Sequence, residues 1–73
     1  MIEINMIEIG KRIRELRLEK RITQTELAER IGVATNTVSQ YEKGLSKTSI
    51  DVIVNLAVVL ETTTDYLLGL SDL

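Results

Sequence analysis

The stretch from Thr23 to Gly44, TQTELAERIGVATNTVSQYEKG, constrains the fold more than any other part of this 73-residue chain. Thr23 and Glu26 have the spacing of a capping box, in which each side chain accepts a hydrogen bond from the other residue's backbone N–H. The apolar residues that follow share one face of a short helix: Leu27, Ala28 and Ile31. Gly32 comes next, where a chain leaving a helix often adopts a left-handed conformation. The stretch therefore begins with a short packed helix that ends in a tight turn.

A second short helix is predicted from about residue 35 to 43, and it differs from the first in being mostly polar. Only Val38 and Tyr41 are expected in the core, and the helix ends at Gly44. Its other side carries amide, hydroxyl and cationic groups: Thr35, Asn36, Thr37, Ser39, Gln40 and Lys43. Such a helix suits the major groove of DNA, where base edges offer hydrogen-bond donors and acceptors. Tyr41 is expected in the core rather than stacked on a base.

Three further helices are predicted around this pair. Apolar residues at helical spacing indicate a first helix from about residue 7 to 20: Ile9, Ile13 and Leu16. Ser49 can cap a fourth helix that runs to about Glu61. Its predicted core face is Ile50, Ile53, Leu56, Ala57 and Leu60. A last short helix at about 64–68 ends at Gly69, and it adds two residues to the core: Leu67 and Leu68.

The sequence therefore predicts an all-α fold, a compact bundle of five short helices in one domain over residues 7–69. Residues 1–6 are predicted to be a flexible extension, and residues 70–73 a C-terminal tail. The motif MIEI occurs twice near the N-terminus, and helix 1 is expected to begin in the second copy. The alternation of Ile2 and Ile4 in the first copy also permits a short strand.

Composition excludes several kinds of chemistry. The chain has no Cys, which excludes disulfides and thiolate metal sites, and no His, the commonest metal ligand and general base. No carboxylate pair or nucleophile–base arrangement is apparent, so we expect no catalytic residues, no metal and no cofactor. No segment has the length and apolar purity of a membrane span, and the N-terminus lacks the pattern of a secretory signal. We expect a cytoplasmic protein without a membrane partner.

The charges are divided unevenly along the chain. Residues 11–47 hold all nine Lys and Arg against five Glu, a net charge of +4, whereas the remainder has a net charge of −6. Attraction to phosphate depends on the charge of the local face and not on the total. The positive part coincides with the two helices above and the helix before them, and its modest size predicts weak non-specific DNA binding. A solvated mixture of charges on ordinary helices would give the same uneven distribution of charge along the chain.

A set of motifs follows in order along the chain: Ile13-Arg14-Glu15-Leu16-Arg17, Thr23-Gln24, Glu26-Leu27-Ala28, Gly32-Val33, Thr37-Val38-Ser39, Tyr41-Glu42-Lys43-Gly44, Ser49-Ile50, Leu56-Ala57 and Asp65-Tyr66-Leu67-Leu68. Each motif is common, but the ordered set at this spacing is highly specific. Over residues 9–68 it resembles the Cro/phage-repressor type of helix-turn-helix domain, the XRE family. The resemblance implies a lambda-repressor-like bundle that binds double-stranded operator DNA as a two-fold homodimer and regulates transcription.

The resemblance also implies roles for particular residues. Base contacts are expected from the recognition helix: Thr35, Asn36 and Gln40. Asn and Gln can pair bidentately with adenine, and a Thr methyl can touch the methyl of thymine. Phosphate contacts are expected from Gln24, Thr37, Ser39, Lys43, Ser46 and Lys47. Gln24 could instead serve only the start of its helix, and Lys47 could be a solvated loop charge. Arg17 and Glu42 match a structural ion pair that ties helix 1 to the end of helix 3.

Four positions depart from the family pattern. Ala34 stands where Ser or Thr usually caps the recognition helix, which predicts a weaker cap. Thr48 replaces a common Pro, which leaves the loop between helices 3 and 4 looser. Arg21 and Glu61 take positions often held by Gly, so we expect the turn after helix 4 to be made differently.

Helix 4 is more apolar than one buried face requires, because Val52, Val54, Val58 and Val59 join its core residues. Exposed aliphatic residues on so small a domain suggest a partner surface. We expect a homodimer through the end of helices 4 and 5 and the tail that Leu70 and Leu73 extend, with contacts from Val58, Val59, Tyr66 and Leu70. The alternative is a well-packed monomer with scattered surface valines.

Two classes of function follow. The first is a sequence-specific DNA-binding transcriptional regulator, a repressor that occupies a palindromic operator with helix 3 in the major groove. The second is a protein-interaction module on the same fold, similar to an antitoxin or an adaptor, whose main partner is a protein. The polar recognition helix favours the first, and the acidic overall balance is compatible with the second.

Overall fold

Five α-helices build the computed structural model, which describes residues 1–72. They are α1 (Met6–Glu19), α2 (Gln24–Ile31), α3 (Thr35–Glu42), α4 (Ile50–Val59) and α5 (Thr64–Leu68). The all-α fold and its five short helices are therefore confirmed. No strand forms within residues 1–72, so the strand considered for Ile2 and Ile4 is not present there. Leu73, which we assigned to the apolar tail, lies outside the described residues.

Side-chain caps explain where most of the helices begin. α1 starts one residue earlier than predicted because Asn5 Oδ1 accepts hydrogen bonds from two backbone N–H groups of its first turn, at 3.0 and 3.2 Å. Thr23 and Glu26 form the predicted capping box, with reciprocal bonds of 2.9 and 3.0 Å. The Thr23 backbone N–H, and then its hydroxyl, lower the pKa of Glu26 because they stabilise the carboxylate. Ser49 and Thr63 cap α4 and α5 with their side-chain oxygens alone, which accept from the backbone N–H groups of Val52 and Tyr66.

α3 begins without such help. Its N-cap residue is Ala34, which offers no side-chain hydrogen bond, as the sequence predicted. Gly32 ends α2 just before it in a left-handed conformation with φ of 74°. The turn between the two helices is therefore set by a glycine, and the first turn of α3 depends on its packing.

Two other turns use left-handed residues that are not glycine. Arg21 follows α1 with φ of 56°, and Glu61 follows α4 with φ of 54°. The expectation of a different turn after α4 is wrong, because Glu61 adopts the conformation that a Gly would take. For an L-residue this costs roughly 1–2 kcal/mol. Lys20 Nζ lies 2.7 Å from Glu61 Oε1, which links the two turns and lowers the pKa of Glu61 by hydrogen bonding and charge.

The core is built from aliphatic side chains and one tyrosine, contributed by all five helices. Its buried members are Ile9, Ile13, Leu27, Ala28, Ile31, Val38, Tyr41, Ile53, Leu56, Ala57, Leu60 and Leu67. Leu16 and Leu68 are half-buried against them. The prediction for Ile50 is wrong, since this residue is 83% exposed. It occupies the first position of α4, at the edge of an open apolar groove that residues 1–4 also line.

α3 packs against both α1 and α2, and these contacts fix its orientation. The approach to α1 is closest at Gly10, which is buried in the middle of that helix. A Cβ added at Gly10 would lie within 3.0 Å of the carbonyl oxygens of Tyr41 and Glu42 at the end of α3. Only a glycine lets the two helices come this near without a shift of the backbone.

Candidate nucleic-acid interface

α3 has a narrow apolar footing and a wide polar face. Val38 and Tyr41 are buried in the core, on the side that packs against α1 and α2. Thr35, Asn36 and Lys43 are exposed along the other side. Three more polar residues are half-buried between them: Thr37, Ser39 and Gln40. The structure therefore brings the three predicted base-contacting residues onto the outer part of one short helix.

Two of these three side chains are held by bonds to neighbouring elements. Thr35 Oγ1 donates to Thr25 Oγ1 at 3.2 Å, which ties the start of α3 to the first turn of α2. Because this bond occupies the hydroxyl proton, the methyl group of Thr35 is the part best placed for an apolar contact. Ser46 Oγ donates to the amide oxygen of Gln40 at 2.8 Å. Ser46 was predicted to contact phosphate, and its half-buried hydroxyl is turned towards α3.

A buried network lies behind α3 and joins it to α1 and α2. Arg17 donates to the Glu42 carboxylate through Nε at 2.6 Å and through Nη2 at 3.1 Å. Their side chains are only 10% and 4% exposed. Arg17 Nη1 also donates to the Ile22 carbonyl at 3.0 Å, and Gln24 Nε2 donates to Glu42 Oε1 at 3.0 Å. The guanidinium thus binds both Glu42 and the Ile22 carbonyl, which lies in the connection between α1 and α2. The Glu42 carboxylate in turn binds Gln24 at the start of α2.

The position of Gln24 limits what its side chain can do. It is the first residue of α2, half-buried, and one amide N–H is bonded to Glu42. The first backbone N–H groups of a helix have no partner within the helix, and here that of Glu26 is bonded to Thr23. Gln24 therefore connects the buried network to the N-terminus of α2. The N-terminus of a helix is the end at which an anion binds favourably.

A shallow depression of about 260 Å³ lies where α1, α2 and α3 meet. It is lined by Arg14, Arg17, Gln24, Ser39, Glu42 and Lys43. Arg14 is exposed and shares this depression with three predicted phosphate contacts, yet it was not among the residues predicted from the sequence to contact DNA. The signal was present, because Arg14 stands three residues before Arg17 and shares its side of α1.

Two of the predicted phosphate contacts lie beyond the end of α3. Lys43 follows α3 directly, and Lys47 lies in the loop towards α4, both of them exposed. Gly44, with φ of 73°, turns the chain between them. The Leu45 backbone N–H then donates to the Gln40 carbonyl at 2.9 Å. This turn returns the loop to the side of α3 and brings Ser46 next to Gln40.

The residues predicted to form the dimer interface differ in how exposed they are. Val58 is 71% exposed, and Leu70 is also exposed beyond α5. Val59 is partly buried and packs against the core. Tyr66 is half-buried, and the Arg12 guanidinium lies 6.0 Å from its ring centroid. Val58 and Leu70 are therefore the members of this set with free apolar surface.

Two kinds of site are absent from residues 1–72, a metal-binding cluster and a membrane-spanning helix. In that range no three acidic side chains come together as a group that could hold a metal ion. None of the helices described there has the length and apolar character needed to cross a membrane.

Comparison with known proteins gives a consistent result. A family model described as helix-turn-helix matches residues 13–67. The chain is 39% identical over 62 residues to YobD of Bacillus subtilis strain 168, an uncharacterized HTH-type transcriptional regulator, and the match covers 85% of this chain and 55% of YobD. The chain spans about half the length of the curated relatives that it matches.

Two solved structures with bound DNA are also similar. The P22 c2 repressor in complex with a synthetic operator superposes with a TM-score of 0.82 at 30% identity, covering 86% of this chain and 96% of the repressor chain. SinR of Bacillus subtilis, described as a master regulator for biofilm formation and solved in complex with DNA, gives a TM-score of 0.76 at 38% identity. That match covers 82% of this chain and 97% of the SinR chain.

Proposed function

Since this chain belongs to the helix-turn-helix family, of the Cro/phage-repressor or XRE type, we propose that it regulates transcription by binding double-stranded DNA with α3 in the major groove. The observation that carries the proposal is the division of α3 into a buried footing, Val38 and Tyr41, and an exposed polar face. A helix of this kind can enter the groove without loss of its core contacts.

Within this proposal, base edges are contacted by the outer residues of α3: Thr35, Asn36 and Gln40. Phosphates on either side are contacted by Gln24 at the start of α2, by Thr37, Ser39 and Lys43 on and after α3, and by Lys47 in the loop. The depression between the helices adds Arg14 to this set. Contacts to phosphate position the protein, whereas contacts to base edges determine which sequence is bound.

We further propose a homodimer that binds a palindromic operator and represses by occupying it. Exposed apolar surface at Val58 and Leu70 supports a partner near the ends of α4 and α5. A two-fold axis there would present two recognition helices about 34 Å apart, one turn of DNA. Light scattering tests this point, because a monomer both free and on DNA would exclude the dimer.

Selection of random duplex DNA on the purified chain at moderate salt tests the function directly. An enriched palindrome with half-sites one helical turn apart would support a dimeric operator-binding regulator and supply its target. Retention without a shared motif would indicate backbone binding alone. Absence of retention would contradict the proposal and favour the protein-interaction module.

Two substitutions separate base reading from phosphate contact. Gln40→Ala is expected to cost about 1–3 kcal/mol of discrimination at one base pair, because the amide is the group that reads it. Lys47→Ala is expected to weaken binding to all sequences similarly and to reduce the salt dependence. Affinities for the selected site and for its single-base variants measure both effects. A uniform loss for Gln40→Ala would exclude a base-reading role.

A further inference from the structure

Gln40 is the residue of the polar face whose side-chain amide is anchored from outside its own helix. The anchor is the Ser46 hydroxyl, which donates to Gln40 Oε1 at 2.8 Å, a favourable length for an O–H···O hydrogen bond. Both side chains are half-buried, so the bond is partly protected from competing water. Ser46 reaches this place because the left-handed Gly44 reverses the chain after α3.

A free glutamine side chain has a weakness as a reader of bases. It is long, and rotation about its last torsion is broad and roughly two-fold. An unrestrained amide can therefore leave the groove position at which it pairs with a base. Since adenine offers an acceptor at N7 beside a donor at N6, both hydrogen bonds form only when the amide lies beside both groups.

The bond from Ser46 restrains the position of the side chain without using up the amide. A carbonyl oxygen has two lone pairs, and the amide nitrogen has two protons. With one lone pair bound to Ser46, the amide retains an acceptor position and both donors for the base. Because a serine hydroxyl can donate or accept, the bond determines where the amide lies and not which of its ends faces the loop.

We propose that Ser46 is a positioning residue that holds the amide of Gln40 at one place on the polar face and so sharpens its preference for one base pair. This inference rests on the proposed function, because it requires Gln40 to read a base. It assigns Ser46 to specificity and not to the phosphate contact expected from the sequence. The base with which a glutamine amide pairs bidentately is adenine.

The test compares Ser46→Ala with Ser46→Thr, which keeps a hydroxyl at the same position. Dissociation constants are measured for the selected operator and for every single-base-pair change in one half-site. Ser46→Ala is expected to reduce discrimination at the pair read by Gln40 by about fivefold, the value of one ordinary hydrogen bond. Discrimination at other positions stays unchanged, and Ser46→Thr stays close to the parent.

A double substitution makes the test independent of a general loss of affinity. Once Gln40→Ala has removed the amide, adding Ser46→Ala should have no further effect on base preference or affinity. A uniform weakening across all sites that adds to that of Gln40→Ala would overturn the inference and restore the phosphate role. An unchanged preference profile in Ser46→Ala would overturn it as well. Failure of the parent chain to prefer any duplex sequence would instead reject the proposed function, and this inference with it.

Discussion

Arg17 is the residue whose loss should damage this fold most. Arg17 and Glu42 are the buried charged residues among residues 1–72, and the pair is satisfied by further bonds to Ile22 and Gln24. A buried carboxylate that loses its partner retains the cost of its desolvation. The guanidinium is therefore needed for stability, whatever its distance from DNA.

We predict that Arg17→Ala lowers the free energy of unfolding by about 3–5 kcal/mol, because Glu42 is left buried with only an amide as partner. A domain of this size is stabilised by roughly 5–10 kcal/mol, so this loss removes a large part of its stability. Urea denaturation followed by circular dichroism measures the change. Arg14→Ala, at an exposed site on the same helix, should change the stability by about 0.5 kcal/mol or less. An unchanged melting temperature for Arg17→Ala would contradict this account.

Arg21 offers a prediction of the opposite sign. Its left-handed conformation is costly for a residue with a Cβ, and its side chain is exposed. Arg21→Gly is expected to raise the free energy of unfolding by about 1 kcal/mol, because relief of this strain outweighs the extra freedom of the unfolded chain. Thermal denaturation of the two proteins measures the gain. Arg21→Ala retains the Cβ and should show no such gain, so equal stabilisation by Ala and Gly would reject the explanation.

At the scale of secondary-structure elements, the contact between α1 and the end of α3 is decisive. α3 is only eight residues long and begins without a side-chain cap. An isolated helix of that length is not stable in water, so its position depends on its neighbours. At Gly10, α1 packs closely against the backbone at the end of α3.

We predict that Gly10→Ala destabilises the protein, although Ala is favoured over Gly inside a helix by about 1 kcal/mol. The added Cβ would meet the backbone of α3, and backbone shifts of this kind typically cost about 1–3 kcal/mol. Chemical denaturation gives the sign of the change. Glu15→Gly at an exposed site of α1 is the control, with an expected loss of about 1 kcal/mol from propensity alone. A Gly10→Ala variant more stable than the parent would show that the helices separate without cost.

For the whole molecule, we expect the free energy of unfolding to fall mainly at acidic pH. The pKa values of Glu26 and Glu61 are lowered in the folded state, so the unfolded chain binds more protons at low pH. The stability that these carboxylates contribute is complete above their unfolded pKa of about 4.3 and is lost as the pH falls through the folded values. The chain has no His, which leaves no side chain that normally titrates between about pH 5.5 and 7.

Melting temperatures measured from pH 7 down to pH 3 check this prediction. They should stay level near neutrality and decline below about pH 4.5. Glu26→Gln keeps an acceptor for the capping box but does not titrate, so its decline should be shallower than that of the parent. An equally steep decline in Glu26→Gln would show that the capping carboxylate contributes nothing to the acid sensitivity.

The helices of this fold could be predicted from the sequence because their signals are local. The Thr23 capping box, Gly32 and the spacing of the apolar residues each act within a few positions of the chain. The exposure of Ile50 could not be predicted, since the spacing of α4 does not reveal how far the neighbouring helices extend. The left-handed conformation of Glu61 could not be predicted either, since an L-residue rarely adopts it.

The polar face of the candidate site could be predicted from the sequence, but the hydrogen bonds between its side chains could not. The polar face of α3 follows from helical spacing, and the pairing of Arg17 with Glu42 was suggested by the family resemblance. The bond from Ser46 to Gln40 depends on how the loop folds back on α3. The bond from Gln24 to Glu42 depends on how α2 sits against the end of α3. Neither arrangement leaves a pattern in the sequence.

On the proposed function, the two faces of α3 bear on how such a protein can change over generations. Val38 and Tyr41 hold the scaffold, so exchange of the outward-facing residues would give a gene copy a new target while the fold is kept. The hydrogen bonds set a condition on this freedom, because Thr35 is tied to Thr25 and Gln40 to Ser46. The heritable unit of specificity would then be larger than the helix, and it would include one residue before α3 and one after it.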